Sequence, residues 1–164
     1  AEDASTAQHR FVHLWSSPLV DAHDSPIDQL GVRLEQQLLK RVLKGSPTPV
    51  RWYSKVANQN EFLHAFVNSV VLHYTGHGLH GSVVLEHDLT ASNRLLGAMH
   101  VFTKEALKEC FQDLPSRPKL VFVSACHSEL VGEAFVALGV PHVVAIDNET
   151  PVLDDASQTF AEMF

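Results

Sequence analysis

The chain is expected to be an α/β protein, a mainly parallel β-sheet with helices on both faces. Three features predict this. Apolar strand-like runs alternate with segments of helical periodicity, the order that parallel strands joined by crossover helices produce. Glycine and proline close the helical segments, Gly45 with Pro47 and Gly139 with Pro141. The length of 164 residues, with 45% hydrophobic and 19% charged residues, suits one domain with a single core.

The elements follow in order. Strands are expected at Phe11 to Trp15, Val50 to Tyr53, Val70 to Tyr74, Leu120 to Ser124 and His142 to Ile146. Between the first two, a helix places Leu30, Leu34, Leu38 and Val42 on one apolar face and leaves Arg33, Gln36, Lys40 and Arg41 in water. A shorter helix covers about Glu61 to Val67 and leads into the third strand. Gly81 to Glu86 and Leu95 to Phe102 have the look of short antiparallel excursions. Thr103 is a suitable N-cap for a helix over about Lys104 to Asp113, whose buried face carries Leu107, Cys110, Phe111 and Leu114. The helix after the fourth strand buries Val131, Ala134, Phe135 and Leu138. A last helix is expected from about Asp154, burying Phe160 and Met163.

Composition excludes several roles. A formal net charge of −7 without a cluster of Lys or Arg argues against binding nucleic acid. No apolar run approaches the roughly 20 residues that span a bilayer. The opening AEDASTAQHR has neither the apolar core of a secretory signal nor the character of a transit peptide. Two cysteines 16 positions apart form no disulfide framework and no zinc-ribbon spacing, so a cytoplasmic, reducing setting is expected. No repeat, P-loop or dinucleotide glycine motif is present. Residues 1–164 read as a single domain excerpted from a larger protein, and a further C-terminal strand is expected beyond Phe164.

Open parallel sheets bind ligands beyond the carboxyl ends of their strands. Two such ends carry chemistry. The third strand runs into Tyr74-Thr75-Gly76-His77-Gly78, and the fourth into Ser124-Ala125-Cys126-His127-Ser128. If those strands are neighbours, their ends lie about 5 Å apart, within reach for an imidazole and a thiol. A helix beginning near Ser128 or Glu129 would favour the Cys126 thiolate through its N-terminal dipole, with Glu129 partly opposing it. His77 would act as base. The backbone N–H groups of Gly78 and Cys126 are candidates for an oxyanion hole.

Blander readings stand beside these. A lone cysteine is usually a buried structural thiol and a lone loop histidine usually has no role; the pairing of the two motifs is what favours chemistry. His73 and His77 cannot share a metal ion along an unbroken strand, because four residues span about 13 Å. His77 with His80 could. His127 adjoins the thiol, but a helix start turns its side chain elsewhere.

The segments VLHYTGHG and LVFVSACHS, with His77 and Cys126 49 positions apart, resemble the His and Cys motifs of the caspase/separase-like clan of cysteine peptidases. Within that clan the chain is most similar to CHAT domains, and the ACHS string also resembles metacaspases. The resemblance implies a caspase-like three-layer sandwich, a His77–Cys126 dyad, Gly78 at the oxyanion site, and hydrolysis of peptide bonds in a protein or peptide substrate through a thioester. It implies no metal or organic cofactor. A regulatory or sensor region, commonly of tetratricopeptide type, is an expected partner; nucleic acid and membrane are not. The family often places a tryptophan and then an acidic pair after the fifth strand. Here Asp154 and Asp155 supply the pair without the tryptophan. Asp147 and Asp155 either line a pocket for a basic side chain or lie in a solvated loop. A class-I glutaminase fits poorly, since there the cysteine precedes the histidine in a glycine-flanked elbow and here Ala125 precedes Cys126. The competitor from another class is a catalytically silent caspase-like scaffold.

Overall fold

The computed structural model describes residues 10–87, 97–147 and Thr159. In chain order its elements are β1 (Arg10–Trp15), α1 (Val32–Lys44), β2 (Arg51–Val56), α2 (Gln59–Asn68), β3 (Val71–Thr75), β4 (Gly78–Leu79), β5 (Ser82–Glu86), β6 (Met99–Thr103), α3 (Lys104–Phe111), β7 (Leu120–Ser124), α4 (Glu129–Ala137) and β8 (His142–Val144). The main sheet has the order β2-β1-β3-β7-β8, with every pair parallel. A second, antiparallel sheet of order β4-β5-β6 grows out of the chain just after β3.

Period-two alternation along the strands divides the side chains between two layers. Val12 and Leu14 of β1, Leu72 and Tyr74 of β3, and Val121 and Val123 of β7 join the principal core. There they pack with Phe62, Ala65 and Phe66 of α2, Leu107 and Phe111 of α3, and Val131, Ala134 and Phe135 of α4. Six of its aromatic rings form a contiguous cluster, with Phe62 meeting Phe111 and Phe135 edge to face. The opposite face carries α1, whose Leu39 packs with Phe122, Phe11, Trp52 and Val144. Helices therefore cover both faces, as expected for a caspase-like sandwich.

Local signals behave as their chemistry predicts. Asn58 caps α2 by accepting from the Glu61 N–H at 2.8 Å, and Thr103 caps α3 by accepting from Ala106 at 3.2 Å. Gly139, at φ +86°, takes the left-handed turn after α4. Cys110 packs at the edge of the core, half-buried.

Two expectations need correction. The helix between β1 and β2 is present, but its inward face is Val32, Glu35 and Leu39, whereas Leu34 is 50% and Val42 40% exposed. A buried polar contact turns it: Glu35 reaches His73 on β3, and that pairing outweighs the leucine stripe. The last strand stops at Val144, because the Ile146 N–H leaves the ladder and donates to Ser128 Oγ at 2.9 Å. The helix expected from Asp154, with Phe160 and Met163, falls outside the described residues, as do Leu95 and Leu96.

Candidate active site

β3 and β7 are adjacent and parallel, in a register that sets Thr75 opposite Ser124. His77 and Cys126 each lie two residues beyond that pair, at the same end of strands about 4.8 Å apart. The two exits stay together: the Gly76 N–H donates to the Ser124 carbonyl at 3.2 Å. At Gly78 the chains touch, since a Cβ there would lie 1.8 Å from the Cys126 carbonyl oxygen. Gly76 is needed for a similar reason, because its Cβ would fall 2.0 Å from the Tyr74 hydroxyl. Burial pushes that hydroxyl far above the ordinary tyrosine range, so it remains a donor, bonded to the Val84 carbonyl.

Cys126 is half-buried. After it the chain turns sharply, with His127 at φ +54°, a conformation histidine tolerates better than most residues. Ser128, fully buried, anchors the turn: its hydroxyl donates to the Val123 carbonyl at 3.3 Å and accepts from Ile146. α4 starts at Glu129, three residues after Cys126, with the Glu129 carboxylate in the first turn.

His77 is held at both ends. Its carbonyl accepts from the Val84 N–H at 3.0 Å, and its Nε2 donates to the Asp28 carbonyl at 2.7 Å. With the proton on Nε2, Nδ1 is the basic nitrogen. Asp28 belongs to the long β1–α1 connection, which folds back over the strand ends. There Asp21 Oδ1 accepts from the His23 and Ser25 N–H groups, and Leu19 donates to Gly97 at 2.7 Å. Those bonds, to Ser25 first, hold the Asp21 carboxyl below its usual range. Nothing in the sequence marks this contact. A recruited main-chain carbonyl leaves no side-chain signature.

Because His77 and Val84 form the hydrogen-bonded pair of their ladder, the neighbouring Gly78–Val83 pair is the non-bonded one. The Gly78 N–H is therefore not spent on β5. Asp147 is exposed and opens, with Glu129 and Glu133, onto a groove of about 520 Å³ between α4 and β8. Neither His77 nor Cys126 lines that groove. Asp155 lies outside the described residues.

On the α1 face of the sheet sits a buried polar cluster. His73 Nε2 donates to Glu35 Oε1 at 2.9 Å, and the His73 ring stacks on Phe122. His13 Nδ1 meets Ser54 Oγ at 3.1 Å, and His13 Nε2 meets Thr75 Oγ1 at 3.0 Å. Gln36 Nε2 donates to Ser54 Oγ at 3.0 Å. Burial above all, then His73 and Lys40, keeps His13 well below the ordinary histidine range, so it is neutral. One consistent chain runs Gln36 to Ser54 to His13 to Thr75. Ligand atoms of His13, Glu35 and His73 lie within 4.8 Å of one another, a set that could in principle hold a metal ion. Each is already engaged, though: Glu35 with His73, and both His13 nitrogens with hydroxyls. The cluster is closed by its own hydrogen bonds.

A parallel α/β sandwich that brings a histidine and a cysteine to neighbouring strand ends is the architecture of caspase-like cysteine peptidases. The family model described as the caspase domain matches residues 48–161, well over half of the chain, and the chain belongs to that family. It is thus a domain of the cysteine-peptidase kind. A comparison with curated proteins gave no match. No helix of the described residues is long and apolar enough to cross a membrane.

Proposed function

We propose that the chain is a CHAT-type cysteine endopeptidase that hydrolyses peptide bonds through His77 and Cys126. One observation supports the reading: the backbones of Gly78 and Cys126 are in contact at the ends of adjacent parallel strands, which brings the two motifs close together. Nδ1 of His77 takes the thiol proton, the Asp28 carbonyl holding the opposite nitrogen and fixing the tautomer. The Cys126 thiolate, favoured by the start of α4, attacks the scissile carbonyl. The carbonyl oxygen becomes an oxyanion, received by the Gly78 and Cys126 N–H groups. Collapse expels the amine, which takes its proton from His77, and leaves a thioester. Water, deprotonated by His77, then hydrolyses the thioester and restores the thiol.

Incubation of a peptide library with the wild-type chain and with Cys126→Ala tests this. New termini with the wild type and none with the variant are expected. Equal absence in both would turn the reading toward a silent scaffold. The substrate is a protein or peptide, and a regulatory region of tetratricopeptide type is the partner we would seek first.

A further inference from the structure

The strand that delivers His77 is tied down on three sides at Thr75. Its carbonyl accepts from the Ser16 N–H of β1's exit at 2.9 Å. The following Gly76 N–H bonds β7 through Ser124. The third tie is a side chain, the bond from His13 Nε2 to Thr75 Oγ1 at 3.0 Å. Both partners are almost wholly buried, His13 at 0% and Thr75 at 3% exposure. His13 in turn is braced by Ser54 on β2 and, through Ser54, by Gln36 on α1. The chain of bonds therefore runs from a helix across β2 and β1 to the last residue of β3, two positions before His77. Backbone pairing alone would hold the sheet without it. What the side-chain tie adds is a fixed end to β3, and the Gly76 that follows has little stiffness of its own.

We propose that His13 and Thr75 are positioning residues for His77: their buried hydrogen bond fixes where β3 ends and thereby the aim of the imidazole at Cys126. The proposal rests on the dyad reading above. It needs no contact between either residue and substrate.

The test is the rate at which iodoacetamide alkylates Cys126 in the chain, followed site by site by mass spectrometry. Four variants are compared with the wild type: Thr75→Val, which keeps the shape and removes the hydroxyl; Thr75→Ser, which restores it; His77→Ala; and Leu39→Ala. The last loosens the same layer while leaving every hydrogen-bonding group of the network in place, and its melting temperature controls for general destabilisation. The expected result is that Thr75→Val slows alkylation about fivefold, the effect of losing one buried hydrogen bond. Thr75→Ser should return within about twofold of the wild type, and Leu39→Ala should melt lower yet label at the wild-type rate. If Thr75→Val labels like the wild type while His77→Ala is slow, the positioning role is wrong and the dyad stands. If Leu39→Ala slows labelling as much as Thr75→Val, the effect is general loosening and the proposal fails. If His77→Ala labels as fast as the wild type, there is no dyad to position and both readings fall.

Discussion

The main chain of Gly78 rests against the carbonyl of Cys126, leaving no room for even a methyl group between them. The contact joins two segments 48 positions apart in sequence at the rim of one sheet. It also explains why a glycine must follow His77. The obstacle is backbone, which has no rotamer to change.

Gly78→Ala is accordingly expected to destabilise the chain by about 3 kcal/mol, at the upper end for an added methyl in a packed site. Urea denaturation measures the loss. Alkylation of Cys126 should lose its dependence on His77 in the same variant, because the two exits are forced apart.

The inward face of α1 can be checked by a pair of truncations. Leu39→Ala should cost about 2 to 4 kcal/mol, whereas Leu34→Ala on the exposed side should stay within about 0.5 kcal/mol. Reversed values would restore the leucine stripe as the buried face and remove Glu35 from the interior.

Much of this was legible in the sequence, and the failures share one cause. The strands along the chain, the capping residue Thr103 and the two motif loops follow from local patterns of few residues, whereas the Asn58 cap went unread. The face of α1 did not, because Leu30, Leu34 and Leu38 form a better apolar stripe than Val32, Glu35 and Leu39 until His73 is known to wait on β3. His13, in the first strand, and Thr75, just past the expected end of the third, drew no notice for the same reason: their meaning lies in a partner 62 positions away. The role of the Asp28 carbonyl was invisible, since any residue supplies a carbonyl. Candidate chemistry was readable where it resided in side-chain type, and unreadable where it resided in who faces whom.

Acid should weaken the fold through His13. Its folded pKa is depressed below the ordinary 6.5, so below that pH the unfolded chain binds a proton that the folded chain refuses. Stability is therefore intact above about pH 6.5 and falls as the pH drops, by at most about 1.4 kcal/mol per unit for this one proton. Urea midpoints between pH 7.5 and 5 measure the slope. His13→Gln should flatten it.

Ser128→Ala removes the buried hydroxyl that joins the Cys126 turn to Ile146. A cost of about 1 to 3 kcal/mol is expected from the unsatisfied Ile146 N–H and Val123 carbonyl. Hydrogen exchange should show it as faster exchange at Ile146 with little change in β1.

On the proposed reading, the His77 imidazole and the Cys126 sulfur serve one crevice whose oxyanion donors are the Gly78 and Cys126 N–H groups. The most direct measurement is a crystal structure of the chain with a peptide aldehyde bound at Cys126. The expected result is a thiohemiacetal on Sγ with its oxygen about 3 Å from both N–H groups, His77 Nδ1 alongside, and Nε2 still on the Asp28 carbonyl. An adduct whose oxygen points away from Gly78, or a His77 ring turned out of the crevice, would contradict it.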